Sequence, residues 1–120
     1  MRYNSHRGSY FTFGGDLVYR NLVLLNECRK TEIKRVKALY DISKNKTYLQ
    51  YIDAISKDIA DTENELQEIR DTISSIHDEL LRRILELKIY EGYTFEKIAD
   101  ELNYSQRYIQ RKYSKCINIA

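Results

Sequence analysis

Apolar residues recur every seven positions through the middle of the chain, and this repeat predicts a long helix with one apolar seam. Isoleucine or leucine occupies the first position of each repeat: Ile52, Ile59, Leu66, Ile73, Leu80 and Leu87. The position three residues later is filled by Ile55, Thr62, Ile69 and Ile76. Such repeats are typical of left-handed coiled coils. We therefore expect a seam for dimerisation or for a partner helix, formed by Ile52, Ile55, Ile59, Leu66, Ile69 and Ile73.

Another long helix is predicted before this one, from Asp16 to about Lys44, with Asp16 as its N-cap. Its predicted apolar seam, interrupted at Arg29, consists of Val18, Leu22, Leu25, Ile33, Val36 and Tyr40. We expect the chain to reverse at residues 44–46. A capping box from Thr47 to Gln50 would then start the second helix.

Charge is divided unevenly between these two helices. Residues 1–52 carry ten bases and four acids, whereas residues 53–79 carry two bases and nine acids. Opposite charges suit an antiparallel hairpin within one chain. Pairing between hairpins of two chains would explain the strict repeat as well, and it would give a dimer joined through a four-helix bundle. The sequence leaves both arrangements open.

The second helix has a candidate break near its end. An unbroken helix from Thr47 to Tyr90 would be about 65 Å long at about 1.5 Å per residue. A second capping box runs from Ser75 to Asp78, so we place a domain boundary at Ser75. The fold class is therefore predicted as all-α, with a flexible basic-aromatic arm at residues 1–15, an antiparallel helical hairpin or coiled coil at 16–74, and a further helical domain at 75–120.

Composition supports a helical protein outside the membrane. The chain has no proline, and Gly92 is the one glycine after residue 15, as expected for nearly uninterrupted helix. No apolar run approaches 18 residues and no signal-peptide pattern opens the chain, so we expect a soluble, cytoplasmic protein. Cys28 and Cys116 are expected to be reduced thiols rather than a disulfide.

Residues 94–117 read as two short helices joined by a tight turn. Thr94 can cap the first helix and Ser105 the second, and Asn103 lies at the turn, where asparagine tolerates the left-handed conformation. Ala99 supplies the small side chain that a close helix crossing needs. The apolar face of the pair is Phe95, Ile98, Leu102, Tyr104, Ile109, Tyr113, Cys116 and Ile117. This is the helix-turn-helix pattern, in which the second helix enters the major groove of DNA. We therefore predict a helix-turn-helix domain at 75–120, and the arm at residues 1–15 either contacts DNA or packs back onto the helices.

The opposite face of the second helix, residues 105–119, has the residue types that bind DNA. From Asn103 onward the chain carries bases and no acid. The residues expected to read base edges are Arg107, Tyr108, Arg111 and Ser114, with Gln106 and Gln110 nearer the rim. Those expected to bind phosphates are Lys112, Lys115, and the helix ends around Thr94 and Ser105. The alternative is that this face is simply a solvated helix surface.

Residues 81–102, Leu-Arg-Arg-Ile-Leu-Glu-Leu-Lys-Ile-Tyr-Glu-Gly-Tyr-Thr-Phe-Glu-Lys-Ile-Ala-Asp-Glu-Leu, resemble the helix-turn-helix of sigma-70 region 4. With Asn103-Tyr104-Ser105 and the Arg and Tyr residues that follow, they are most similar to small phage regulators of the RinA and ArpU type. The resemblance covers residues 76–120 and implies a phage transcription activator in a bacterial host. One departure is Lys112, three residues after Ile109, where an apolar residue is common; we expect Tyr113 to replace it in the core.

No sequence pattern for an enzyme accompanies the helix-turn-helix. There is no Walker loop, no dinucleotide-binding glycine pattern and no Cys or His cluster at zinc spacing, so we expect no enzymatic activity, cofactor or metal. The leading hypothesis is a sequence-specific regulator that binds double-stranded DNA, forms a homodimer through the hairpin and contacts RNA polymerase. The alternative is a phage factor whose hairpin binds or inhibits a host protein. A third is a DNA-packaging small subunit.

Overall fold

The computed structural model describes the backbone of residues 15–119 and the side chains of residues 17–116. All regular elements in these ranges are helical: α1 (Gly15–Ser43), α2 (Thr47–Ser74), α3 (Glu79–Leu85), a π-helical turn (Glu86–Tyr90), α4 (Phe95–Leu102) and α5 (Gln106–Ile119). This confirms the all-α class and the long helical hairpin of α1 and α2. The predicted arm lies outside the described residues, except for Gly15, which opens α1. No described helix is long and apolar enough to cross a bilayer.

The reversal between α1 and α2 lies where it is predicted. Lys44 adopts a left-handed conformation, with φ of 59°, and its N–H donates to the carbonyl of Tyr40 at 2.7 Å. This arrangement ends α1. The prediction that Thr47 caps α2 is wrong, because Thr47 is already helical and its own N–H donates to the side-chain oxygen of Asn45 at 2.9 Å. The side chain of Asn45, two residues earlier, accepts this free amide.

The burial pattern of α1, which from Asn21 onward belongs to a compact unit of residues 21–68, corrects the predicted seam of this helix. Val18 and Leu25 were expected in the seam, yet they are 42% and 44% exposed. The polar Asn26 is only 1% exposed. The side chains of α1 that are buried or half-buried at heptad spacing are Tyr19, Leu22, Asn26, Arg29, Ile33, Val36 and Tyr40. The predicted interruption at Arg29 is therefore part of the seam.

A polar layer, defined as Asn26, Arg29 and Thr62, explains this correction. The amide nitrogen of Asn26 donates to the carbonyl of Ile59 at 3.2 Å. One Arg29 nitrogen donates to the side-chain oxygen of Asn26 at 2.8 Å and to the hydroxyl of Thr62 at 2.7 Å. Buried polar groups are tolerated when they are hydrogen-bonded, and here each of the three has a partner.

The heptad residues of α2 are covered within the single chain. Ile55, Leu66, Ile69 and Ile73 are buried, and Ile52 and Ile59 are half-buried. Because the hairpin already covers most of these side chains, a second chain could reach them only if the hairpin opened. Dimerisation through this seam stays a prediction.

The second helix breaks where the sequence indicates a break, but not with the predicted cap. The hydroxyl of Ser75 donates to the carbonyl of Thr72 at 2.7 Å, and the N–H of Ser75 donates to Asp71 at 3.1 Å, so Ser75 ends α2. Asp78 caps α3 instead, since its carboxylate accepts the N–H of Leu81 at 3.1 Å. His77 precedes α3. The domain boundary at Ser75 itself stays a prediction.

The second compact unit joins the described start of α1, residues 15–20, with the described chain from Ile69 onward. Its core is apolar, and six side chains in it have no exposed surface: Ile73, Ile84, Leu85, Ile89, Ile98 and Ile109. The start of α1 contributes Tyr19, whose ring centroid lies 4.9 Å from that of Tyr90. The guanidinium of Arg70 donates to the Tyr19 hydroxyl at 3.0 Å. Burial, with Tyr19 as the next cause, raises the pKa of Tyr90 to about 12.

Candidate nucleic-acid interface

The helix-turn-helix is preceded by a π-helical turn that continues α3. The N–H of Glu91 donates to the carbonyl of Glu86 at 3.3 Å, a bond that spans five residues, and the turn buries Leu87 and Ile89. Gly92 ends the turn with φ of 72°, and a Cβ there would lie 2.5 Å from a guanidinium nitrogen of Arg20. Glycine is favoured at Gly92 by its backbone conformation, whereas the exposed Arg20 side chain can move away from a Cβ.

The start of α4 has the predicted cap. Thr94 is extended, with φ of −73° and ψ of 161°, and its hydroxyl accepts the N–H of Lys97 at 3.2 Å. The two lysines nearby lie over aromatic rings: Lys88 Nζ is 4.4 Å from the centroid of Phe95, and Lys97 Nζ is 4.3 Å from that of Tyr93. These contacts fix the loop that leads into α4.

The tight turn between α4 and α5 also agrees with the sequence. Asn103 is left-handed, with φ of 62° and ψ of 43°, and its N–H donates to the carbonyl of Ala99. Ala99 is 5% exposed, as expected for a small residue at a close helix crossing. The Ser105 hydroxyl accepts the N–H of Tyr108 at 3.1 Å and so caps α5. The local chemistry of these residues determines the turn.

The buried side of α5 anchors the helix in the core. Ile109 has no exposed surface, and Tyr113 and Cys116 are 7% and 9% exposed. The Tyr113 ring meets Phe95 edge to face, with centroids 5.2 Å apart. Burial raises the pKa of the Cys116 thiol, so the thiol stays protonated near neutral pH. As expected, Tyr113 joins the core in place of an apolar residue at position 112. Ile117 lies outside the described side chains.

Lys112 forms an ion pair with the N-cap of α3. Its Nζ lies 2.5 Å from a carboxylate oxygen of Asp78, 34 residues away in sequence. The hydrogen bond from Lys112, followed by that from the Leu81 amide, lowers the pKa of Asp78, and the same pair raises the pKa of Lys112. The ion pair explains why lysine is accommodated here. The predicted phosphate contact of Lys112 would have to compete with Asp78.

The remaining predicted DNA-binding side chains lie on the outside of the helix-turn-helix. Those exposed are Thr94, Ser105, Gln106, Arg107, Gln110, Arg111, Ser114 and Lys115, while Tyr108 and Lys112 are half-buried. The guanidinium carbon of Arg111 lies 6.0 Å from the centroid of the Tyr108 ring. Acids are exposed on α4, at Glu96, Asp100 and Glu101, and α5 contains none. Of the two helices, α5 therefore has the charge that suits a phosphate backbone.

A family model described as ECF sigma factor matches residues 4–116. The chain belongs to the ECF sigma factor family. No curated protein and no solved structure matches the chain significantly. Membership gives this ECF sigma factor family protein a sigma-70-like role in DNA binding or transcription, with DNA as the implied partner. It also supports the resemblance of residues 81–102 to a sigma-70 helix-turn-helix.

Two residues of this ECF sigma factor family protein differ from their predicted roles. Tyr104 was expected to be a buried anchor, but it is 47% exposed, and its ring stacks on Tyr108 with centroids 5.1 Å apart. Asp78 was not expected to contact α5. Tyr104 lies in the turn before α5, which begins at Gln106, so helical spacing did not indicate its contact with Tyr108. No local pattern indicates the distant pair of Asp78 with Lys112.

Proposed function

We propose that this protein is a sequence-specific, double-stranded-DNA-binding transcription regulator of phage or prophage origin, with α5 as its recognition helix in the major groove. The observation that supports this most strongly is the outward side of α5, where Arg107 and Arg111 are exposed on a helix without acids. A cap at each helix start and a left-handed Asn103 hold this side in a fixed relation to α4. The resemblance to regulators of the RinA and ArpU type is the support for phage origin.

Each exposed residue type on α5 has a defined part in this proposal. Arg107 and Arg111 would donate to guanine edges, since a guanidinium can make two hydrogen bonds there. Ser114, Gln106 and Gln110 would contact bases or phosphates. Lys115 would contact phosphates, as would the N-terminal ends of α4 at Thr94 and of α5 at Ser105. The role is a binding role without catalysis, and RNA polymerase is a partner in keeping with family membership.

The test is selection of bound fragments from a randomised duplex pool, followed by titration of the winning sequence at several salt concentrations. Sequence-specific binding should exceed non-specific binding by more than about 10³-fold. Arg111→Ala should weaken binding to the selected site by about 1–3 kcal/mol. Arg35→Ala is the matched control, because it removes the same charge from an exposed site in the hairpin.

Two outcomes would contradict the proposal. Uniform, steeply salt-dependent binding to every duplex would mean that α5 supplies only electrostatic attraction. An equal loss of affinity in Arg111→Ala and Arg35→Ala would mean that net charge, and not this side of α5, determines binding.

A second candidate function, protein binding through the hairpin, is favoured by one observation. Three large apolar side chains within one turn of α1, Val23, Leu24 and Leu25, are 37%, 62% and 44% exposed, and such exposed apolar surface favours a protein partner. If the hairpin binds the partner, Leu24→Lys should abolish the effect on transcription in cells and leave duplex affinity unchanged. If Leu24→Lys changes neither the effect on transcription nor the duplex affinity, this candidate is wrong. The mass in solution distinguishes the transcription regulator and the protein-binding factor from a DNA-packaging subunit, which requires a large ring.

A further inference from the structure

The outer surface of the α4–α5 turn carries two stacked tyrosine rings that the core does not use. Tyr104 is 47% exposed although it follows the tight turn directly, and Tyr108 is half-buried. Their ring centroids are 5.1 Å apart with 26° between the planes. Arg111 lies beside this pair, with its guanidinium carbon 6.0 Å from the Tyr108 centroid. We call the two rings the tyrosine pair.

The tyrosine pair is held in place from both ends. The N–H of Tyr104 donates to the carbonyl of Ala99 at 3.1 Å, next to the left-handed Asn103. The N–H of Tyr108 donates to the Ser105 hydroxyl at 3.1 Å. Both backbones are therefore fixed, and stacking restricts the two side-chain torsions of each ring. An exposed ring that is already ordered loses little entropy when it contacts a ligand.

The position of the pair decides which part of a duplex it can meet. It lies at the N-terminal end of α5, beside Arg111 and near Arg107, so a duplex that binds these arginines also reaches Tyr104. Base faces are stacked on one another inside a duplex, so a tyrosine ring can contact only the edges of the bases. On the major-groove edge, the apolar group is the C5 methyl of thymine. The ligand chemistry that suits Tyr104 is therefore a thymine methyl.

We propose that Tyr104, supported by Tyr108, packs against the C5 methyl of one thymine and is a specificity-determining residue of this protein. This inference rests on the proposed function, because it requires α5 to lie in the major groove. It adds Tyr104, which the sequence indicates as a core residue, to the residues that select the site. It also assigns Tyr108 a positioning role, since its ring supports Tyr104.

The experiment replaces each thymine of the selected duplex, one at a time, with deoxyuridine, which lacks only the methyl group. One position should lose about fourfold in affinity for the wild-type protein, the value expected for one buried methyl. Tyr104→Ala should bind the parent duplex more weakly and should show no further loss at that position. Because a methyl contact releases no counterion, the fourfold ratio should be the same at low and high salt.

Two control variants separate the methyl contact from other roles of the ring. Tyr104→Phe keeps the ring and removes the hydroxyl, so it should retain the deoxyuridine effect; its loss would assign Tyr104 to a hydrogen bond and overturn the proposal. Tyr51→Ala removes a ring of similar exposure, 48%, from the hairpin and should change neither affinity nor the deoxyuridine effect. Circular dichroism establishes that each variant is folded.

The possible failures are distinguishable. If the wild type binds one sequence specifically but no thymine is sensitive to deoxyuridine, or if the sensitivity persists in Tyr104→Ala, this inference is wrong and the proposed function stands. If the wild type selects no sequence, both are wrong. A gain in affinity for single strands over duplex would mean that the rings stack on base faces, and it would also overturn the methyl contact.

Discussion

The two compact units of this protein are built around different kinds of interior. In residues 21–68, Asn26 is buried at a seam position, where it is hydrogen-bonded to Arg29 and to the backbone of Ile59. In the unit that contains the helix-turn-helix, Ile84, Ile98 and Ile109 have no exposed surface, and the core around them is apolar. The first interior contains directional bonds, and the second relies on close packing.

This difference separates two properties of the fold, the choice of helix pairing and the free energy of folding. Hydrogen bonds in a helical seam are satisfied in one register only, so a buried asparagine selects a pairing at some cost in stability. Apolar packing is not directional but gives most of the free energy of folding. We infer that the polar layer determines which helices pair and in which register, whereas the apolar core keeps α5 stiff enough to present its outward side.

The comparison is tested most strongly by opening the apolar core. Ile109→Ala removes a fully buried side chain from α5 and should lower the free energy of unfolding by about 2–5 kcal/mol. Denaturant unfolding followed by circular dichroism measures this change. Ile42→Ala is the control, because Ile42 is 84% exposed and should change stability by no more than about 0.5 kcal/mol. Similar losses in both variants would contradict the apolar-core assignment.

Breaking the polar layer should have a smaller effect. Arg29→Ala leaves the buried groups of Asn26 and Thr62 without this donor, and it should cost about 1–3 kcal/mol. Replacing all three polar residues with apolar ones (Asn26→Leu, Arg29→Met, Thr62→Val) should recover that loss, because no buried polar group is then left unpaired.

The same triple variant shows whether the layer selects the pairing. If it does, the variant should form mixed oligomers, measurable by light scattering with size-exclusion chromatography. A stable variant with the single mass of the wild type would mean that the layer does not determine register.

The smallest effect is expected at the ion pair that joins α3 to α5. Asp78→Ala should cost about 1 kcal/mol, because it removes both the N-cap of α3 and the partner of Lys112. Asp78→Asn should recover much of this, since asparagine also caps helices. Glu79→Gln is the control, because Glu79 is exposed and its contact with Arg82 is 4.0 Å long.

The contribution of Asp78 should depend on pH. Because Lys112 and the Leu81 amide lower the pKa of Asp78 in the folded state, its stabilising effect is present above the unfolded-state pKa. It is lost as the pH falls through the folded-state value. The stability difference between wild type and Asp78→Asn should therefore shrink on acidification below about pH 4. A difference that stays constant from neutral to acidic pH would rule out the charged carboxylate as its cause.

The parts of this fold that the sequence predicts are those determined by near neighbours. The αL turn at Asn103 and the caps at Thr94 and Ser105 each depend on residues within four positions, and all three agree with the structure. The reversal at residues 44–46 and the end of α2 near Ser75 are of the same kind. Short-range chemistry was sufficient for each of them.

Two misses are local, because Asn45 and Asp78 take the capping roles predicted for Thr47 and Ser75. The other misses depend on partners far along the chain. Val18 and Leu25 are more apolar than Tyr19 and Asn26, yet they are the exposed residues. Asn26 can be buried because its side-chain amide donates to the carbonyl of Ile59, which lies 33 residues away in sequence. Hydropathy at a single position carries no information about such a partner. For the candidate site, the outward side of α5 could be predicted from charge and periodicity.

The π-helical turn determines how the insertion or deletion of one residue affects the direction of the helices that follow it. The turn holds one residue more than an α-helix needs, and it buries both Leu87 and Ile89. Deleting one residue between Glu86 and Tyr90 would remove this extra residue, so α3 would continue as an ordinary helix with the chain after it in nearly its present direction. Deleting one residue within α3 itself, where no extra residue is present, would instead rotate everything after it by about 100° and change the direction in which α5 is presented, without altering any residue that α5 contains.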